Sequence, residues 1–272
     1  MSYKDKESPS TGSVVFKVLG CGTSTGVPIP ACKCEVCSSD NPRNKRNRTS
    51  GILLSPAGNI LIDASPDLRH QAIAHDISQV DAVVFTHSHA DHILGLEDLR
   101  GFNFIQRQTI PLYCFDETAE RLRHMFSYIF APNPGYQGGM LAQVEIKEFV
   151  LGKALSILGY EIRSTLVMHG STKVAAFRIG DLGYATDCNA IPPESIEVLR
   201  GVKHLIIDGL RMEPHTTHFS IPEAIEMGRA IEAEQTYFTH MTHSVEYEAT
   251  NAELPDSFAL AYDGLEIDVG FT

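Results

Sequence analysis

The segment Thr86-His87-Ser88-His89-Ala90-Asp91-His92 places three imidazoles and one carboxylate within six residues, directly behind an apolar, β-branched run. Neutral imidazoles and carboxylates are the usual donors to zinc, manganese or iron. So many donors at the end of a buried strand would carry a heavy desolvation cost unless something pairs with them, and a metal ion supplies that pairing. A solvated His-rich loop is the alternative, and the apolar run in front of His87 argues against it. A second group of donors, Cys32-x-Cys34-x-x-Cys37, offers three thiolates in a short loop, one ligand short of a closed tetrahedral zinc site. His243, Cys21 or Cys188 could complete it.

These donors need rigid elements to hold them. Residues 14–19 read as a buried strand that ends in the turn Gly20-Cys21-Gly22-Thr23. Strands over 51–54 and 59–63 flank the turn Ser55-Pro56-Ala57-Gly58, and a strand over 82–86 delivers the chain into His87. A helix is expected over 117–130 and a loop over 132–139. The second half continues with strands at 146–150, 161–168, 174–179, 182–185, 205–208 and 236–239. Ser220 and Glu223 match a capping box before a helical pattern that runs to about residue 233. Polar residues stand at the strand ends: His169, Asp187, Asp208 and His240. Strand-rich halves with interspersed helices predict an α/β layered architecture.

Composition narrows the function. With 43% hydrophobic and 21% charged residues in 272, the chain can bury one large core, expected over residues 13–272 behind a polar, disordered leader at 1–12. A net charge of -12 opposes broad binding to nucleic acid, because that affinity comes mainly from cations that neutralise phosphates. No run approaches the roughly 18 apolar residues of a membrane span, and the start lacks a signal-peptide core, so a cytoplasmic protein with no membrane partner is expected. Three of the six cysteines crowd into residues 32–37, which suits a metal better than a disulfide framework. A homodimer is compatible with all of this.

His-x-His-x-Asp-His after an apolar strand resembles the signature of the metallo-β-lactamase superfamily. The later elements follow in that family's order: His169 after a strand, Asp187 after a Gly-containing hairpin, and His240 at a late strand end. Asp63, in Leu61-Ile62-Asp63-Ala64, matches the family's supporting aspartate. The resemblance covers about residues 14–270 and implies a four-layer αββα sandwich with two divalent catalytic ions (Zn, Mn or Fe). His87, His89 and His169 would hold one ion and Asp91, His92 and His240 the other, with Asp187 between them and a bridging hydroxide as nucleophile. Classical β-lactamases of the superfamily have a thiol where Asp187 stands, whereas phosphodiesterases have an aspartate, so antibiotic hydrolysis is disfavoured. Cys188 would face the other way in an extended segment.

The three-Cys loop is similar to that of the superfamily's phosphoribosyl cyclic phosphodiesterases, which add a three-Cys, one-His structural zinc. On that pattern His243 is the preferred fourth ligand to Cys32, Cys34 and Cys37, with His240 serving the catalytic metals three residues earlier. The stretch Tyr262-Asp263-Gly264-Leu265-Glu266-Ile267 also resembles the end of those enzymes. A pyrroloquinoline quinone biosynthesis protein carries a related Cys loop with a degenerate catalytic motif. His218 resembles the acid histidine of the cyclic phosphodiesterases and of transfer-RNA 3′-processing enzymes; with Asp91 it forms the expected catalytic set, and His215 is a competitor. In the basic stretch Arg43, Lys45, Arg46, Arg48, the residues Arg46, Arg48 and Ser50 are candidate phosphate contacts. The expected reaction is hydrolysis of a small, nucleotide-like phosphodiester. A transfer-RNA processing ribonuclease, an ester, thioester or lactone hydrolase, and a low-turnover biosynthetic accessory protein are the alternatives.

Overall fold

The computed structural model describes residues 12–133 and 135–271. Residues 1–11 of the expected leader lie outside the described residues. Along the chain, strands β1 to β14 are Val15–Gly20, Ser50–Leu54, Ile60–Ile62, Ala82–Val84, Ile110–Phe115, Val144–Phe149, Ala154–Ile157, Tyr160–His169, Thr172–Ile179, Leu182–Ala185, His204–Asp208, Gln235–Thr239, Phe258–Leu260 and Glu266–Asp268. They form two seven-stranded sheets, in the orders β14-β1-β2-β3-β4-β5-β6 and β13-β12-β11-β10-β9-β8-β7.

The period-two alternation of side chains builds the layers. Ile60, Ile62, Ala82 and Val84 point between the sheets, where they join Phe16, Val167, Phe177 and Tyr184 in one buried cluster. Leu61, Val83 and Phe85 point the other way and pack with Leu68, Ile93, Leu99, Ala119 and Leu122 from the helical side. Strands that bury both faces read as continuous apolar runs. On the far side of the second sheet, Leu199, Ile221, Ala224 and Ile231 close the opposite face. The result is the αββα sandwich. Truncating a fully buried ring such as Phe177→Ala would cost about 3–5 kcal/mol.

Several elements differ from the sequence reading. The helix expected over 117–130 is two helices, Asp116–Met125 and Ser127–Phe130, because Phe126 leaves the helical region at φ -108° and ψ 37°. The capping box is present: Ser220 accepts from the Glu223 amide and the Glu223 carboxylate accepts from Ser220, and the helix Ile221–Ile231 follows. Strand β14 pairs with β1, Val15 opposite Asp268, across almost the whole chain. Among the described residues no helix is long and apolar enough to cross a membrane.

Candidate metal centre and its pocket

Strand ends carry the chemistry. Strand β4 leads through Thr86 into His87, and the short helix Ala90–Ile93 sets Asp91 and His92 one position apart on a buried turn. His169 is the last residue of β8 and Asp208 the last of β11, while Asp187 and His240 follow β10 and β12. Strands β10, β11 and β12 are parallel neighbours, so their carboxyl ends reach one edge of the sandwich together. Asp63, Asp187 and His240 each turn out of their strand with φ between 51° and 60°, a left-handed conformation uncommon outside glycine. Such backbone persists where surrounding contacts over-determine it, and functional sites collect it.

The donor atoms converge. His92 Nε2 lies 3.2 Å from Asp187 Oδ1 and 3.4 Å from Asp91 Oδ2. His240 Nε2 lies 3.3 Å from Asp187 Oδ2 and 3.5 Å from Asp91 Oδ2. Asp91, His92, Asp187 and His240 form one group with metal-ligand spacing, and His87, His89 and Asp187 form another. Asp187 belongs to both, and to a third group in which it meets His169 and His218. Nε2 of His87 and of His92 are buried without any hydrogen-bond partner. Leaving such atoms unpaired costs about 1–3 kcal/mol each, and a coordinated cation removes that cost, so the residues present fit a metal ion.

Supporting contacts aim the rings. His92 donates from Nδ1 to Asp63 Oδ2 at 2.7 Å, and His169 from Nδ1 to the Thr217 carbonyl at 2.7 Å. His87 Nδ1 lies 3.0 Å from Thr86 Oγ1, which itself donates to Asp63 at 2.8 Å. Each Nε2 is thereby left facing the centre, the arrangement that fixes tautomer and basicity in metal-binding histidines. Burial opposes charge on Asp187, but the imidazoles of His240 and His92 outweigh it and hold this carboxyl well below the usual range. Burial also opposes charge on His92, and Asp187, Asp63 and Asp91 overcome it and push the imidazole well above its ordinary value. Burial and the neighbouring His92 push His87 well below it. The field of the carboxylates is one that draws a cation, and a divalent ion displaces the protons it competes with.

Beside this centre stands His218, 8% exposed, its Nδ1 2.6 Å from Asp208 Oδ2. The same Asp208 oxygen accepts from the Cys188 amide at 2.8 Å. The His218 ring stacks 4.7 Å from His240 and packs 4.4 Å from His169. It opens onto a cavity of about 360 Å³ whose walls include Thr23, Ile29, Leu210, Arg211, His215 and His243. His215 sits at the rim, 5.3 Å from His218 ring to ring.

The cysteine loop lies on the same side. Sγ of Cys32, Cys34 and Cys37 are 3.3, 3.4 and 3.6 Å from His243 Nδ1. Zinc–sulfur and zinc–nitrogen bonds in a tetrahedron separate those atoms by about 3.5 Å, so the four residues fit zinc. The Cys37 amide donates to Cys34 Sγ, and this contact leads the effects that lower the Cys34 thiol to about 6, favouring the thiolate a metal needs. Cys21 and Cys188 are buried elsewhere, their thiols directed at the carbonyls of Ala261 and Ala185.

The basic stretch is placed differently from the expectation. Arg46 is 1% exposed and spends its guanidinium on the Thr242 and Val245 carbonyls and on Asn44. Ser50 is also buried and donates to the carbonyls of Ile62 and Asp63. Neither can meet a phosphate. Arg48 pairs with Asp67 at 2.9 Å and donates to the Ser24 carbonyl, which secures the loop along the cavity. Arg43 lies over the rings of Tyr247 and Tyr262, and Lys45 donates to the Cys37 carbonyl. These residues brace the site from behind. Sequence reasoning gave no role to Asp208 or Thr86. Asp208 carried a usable signal, an acid at the end of an apolar strand, like Asp63 and Asp187.

Comparison with known proteins agrees with this geometry. The model of the beta-lactamase superfamily domain matches residues 58–241. An octanoyltransferase of Porphyromonas gingivalis is 34% identical over 252 residues, which are 92% of this chain and 50% of that protein, so the chain spans half the length of this relative. Coenzyme PQQ synthesis protein B of Methylorubrum populi is 36% identical over 230 residues, 72% of this chain and 73% of that one. Among solved structures, a diphosphatase from the PhnP family superposes with a TM-score of 0.87 at 39% identity, covering 94% of this chain and 97% of its own. With a superfamily model over most of its length and near-complete overlap with that diphosphatase, this chain belongs to the metallo-β-lactamase superfamily.

Proposed function

We propose that this protein is a dinuclear metal-dependent phosphodiesterase acting on a small ribose-containing phosphodiester, a 1,2-cyclic ribose phosphate being the most specific candidate. The observation that carries this reading is the His218–Asp208 pair, 2.6 Å apart, at the edge of the donor groups. A phosphodiester departs as an alkoxide, and a proton donor beside the leaving oxygen is what that reaction needs. His87, His89 and His169 would hold one ion and Asp91, His92 and His240 the other, with Asp187 shared; Cys32, Cys34, Cys37 and His243 would hold a structural zinc. Bound divalent ions supply Lewis acidity and an activated water. Asp208 orients the His218 ring, and Asp63 fixes His92 and, through Thr86, His87.

The likeness to half of an octanoyltransferase favours a second reading, hydrolysis of a carboxylic ester or thioester. The cavity beside His218 speaks against an eight-carbon chain there, since Ile29 and Leu210 are its aliphatic walls amid hydroxyls and imidazoles. The net charge of -12 weighs against a transfer-RNA substrate. The deciding experiment is turnover of cyclic and linear phosphodiesters, bis(p-nitrophenyl) phosphate and acyl thioesters by protein loaded with manganese, zinc or iron. Turnover of thioesters alone would replace this reading with the second.

A further inference from the structure

The cysteine loop carries part of the wall of the catalytic cavity. His243, whose Nδ1 faces all three sulfurs, also lines the space beside His218, and so does Ile29. The Ile29 amide donates to Cys37 Sγ at 3.4 Å, and the Ile29 carbonyl accepts from the Cys32 amide at 3.0 Å. These two wall residues are therefore anchored on the donors of the zinc site rather than on a strand.

The three thiols differ in access. Cys32 and Cys34 are half-buried, whereas Cys37 lies deeper, 6% exposed. Cys34 caps the short helix Glu35–Ser38 and Cys37 follows three residues on, a spacing that turns side chains towards one another. The Cys37 amide donates to Cys34 Sγ at 3.4 Å, and the two sulfurs belong to a group of donors that all lie within 4.8 Å of one another. A disulfide needs its sulfurs about 2.05 Å apart, so a short closing movement joins them. Cys21, Cys114 and Cys188 are buried elsewhere in the molecule.

We propose that Cys34 and Cys37 form an oxidative modification site: a hydroperoxide converts them to a disulfide, which dismantles the zinc site and frees the cavity wall it carries. The Cys34 thiolate attacks one oxygen of hydrogen peroxide, the O–O bond breaks, hydroxide leaves and a sulfenic acid remains. The Cys37 thiolate then attacks the Cys34 sulfur, the S–S bond forms and the second hydroxide leaves. The two thiolates supply the two electrons that reduce the peroxide, and two protons from solvent complete two waters. Cys32 and His243 alone cannot close a tetrahedral site, so zinc departs. This rests on the zinc assignment and is independent of the reaction at the catalytic centre.

The test is treatment of the metal-loaded protein with a small excess of hydrogen peroxide. Chelation-resistant zinc should pass into solution, read with a metallochromic dye, and added dithiothreitol and zinc should restore it. Trypsin cuts after Lys33, so a Cys34–Cys37 bond stays within one peptide while any bond to Cys32 joins two, and mass spectrometry should find the former. Hydrogen exchange at the Ile29 amide should rise about 10-fold or more while strand β9 keeps its protection. Cys32→Ser should still form the same bond under peroxide. Zinc retained with Cys34 and Cys37 reduced, or a bond to Cys32 in place of Cys37, overturns the modification site. A Cys34–Cys37 bond with Ile29 protection unchanged overturns its link to the cavity. Protein without chelation-resistant zinc before treatment overturns the zinc assignment, and this inference with it.

Discussion

The guanidinium of Arg46 donates to the carbonyl of Thr242 at 3.1 Å, 196 residues away in sequence. Its other terminal nitrogen reaches the Val245 carbonyl at 2.8 Å, so the cation brackets His243 from both sides. A buried charge is costly unless its donors are used, and here both terminal nitrogens hold the backbone on either side of His243, next to His240. The two proposed metal sites therefore share one strut. Disturbing the Cys loop should reach the catalytic edge through residues 240–243.

Zinc retention tests this arrangement. After mild chelation removes exchangeable ions, elemental analysis should find about one zinc per chain in the wild type and none in Cys34→Ser, since a closed thiolate site has no exchangeable position. Arg46→Ala should lose zinc faster and be less stable by about 3 kcal/mol or more, because carbonyls buried against the guanidinium lose their donors. A wild type without chelation-resistant zinc would refute the structural site.

Asp187→Ala removes the one carboxylate common to both donor groups. Metal content should fall below two ions per chain at the catalytic site and turnover should fall with it, by 10-fold or more on the order expected for a lost ligand contact. Far-ultraviolet circular dichroism should stay that of the folded protein, as Asp187 lies beyond β10 rather than in the sandwich core. Full occupancy with wild-type turnover would assign the bridging place to another residue.

Where the chain met its chemistry locally, it was legible in one dimension. His87 to His92 and Cys32 to Cys37 are dense because one short segment must supply several donors, and the polar strand ends His169, Asp187 and His240 stand out against apolar runs. The roles of Arg46 and Ser50 were not legible in that way. A basic or hydroxyl residue in a loop reads as surface, and only pairing across roughly 200 residues buries Arg46 against the 242–245 backbone. Strand β14 was hidden for the same reason, because Glu266–Asp268 is short, half exposed and defined by its partner β1.

Asp263 provides a prediction in pH. Its carboxylate accepts from the Asn47 amide at 2.7 Å, from Asn47 Nδ2 at 2.9 Å and from the Cys21 amide at 3.1 Å, yet burial dominates these donors and pushes the acid up to about 7. An unfolded Asp titrates near 3.9. Between those values the folded chain holds a proton that the unfolded chain releases, so the contribution to stability is full at low pH and is lost as pH rises towards 7. Partial solvent access trims the effect. Relative to Asp263→Asn, the wild type should lose about 1–2 kcal/mol of urea-unfolding stability between roughly pH 5.5 and 7.5. A pH-independent difference would show that the donors, not burial, set this group.

His218 tests the reaction itself. If it delivers a proton to the leaving oxygen, its value depends on how badly that oxygen needs one. His218→Ala should therefore lose roughly 10² to 10⁴ in turnover on a phosphodiester with an alkoxide leaving group, and much less on bis(p-nitrophenyl) phosphate, whose nitrophenolate departs unaided. Asp208→Asn should show the same contrast on a smaller scale, about 10- to 100-fold on the alkoxide, because Asn still fills the space behind His218 Nδ1 but no longer accepts its proton with a charge. Metal content measured in the same samples separates this outcome from loss of the ions. Equal losses on both substrates would mean that His218 positions the phosphate or supports His169 and His240, against which its ring packs. If neither substrate is affected, the proton comes from elsewhere, and His215 at the rim of the same cavity is the next residue to substitute.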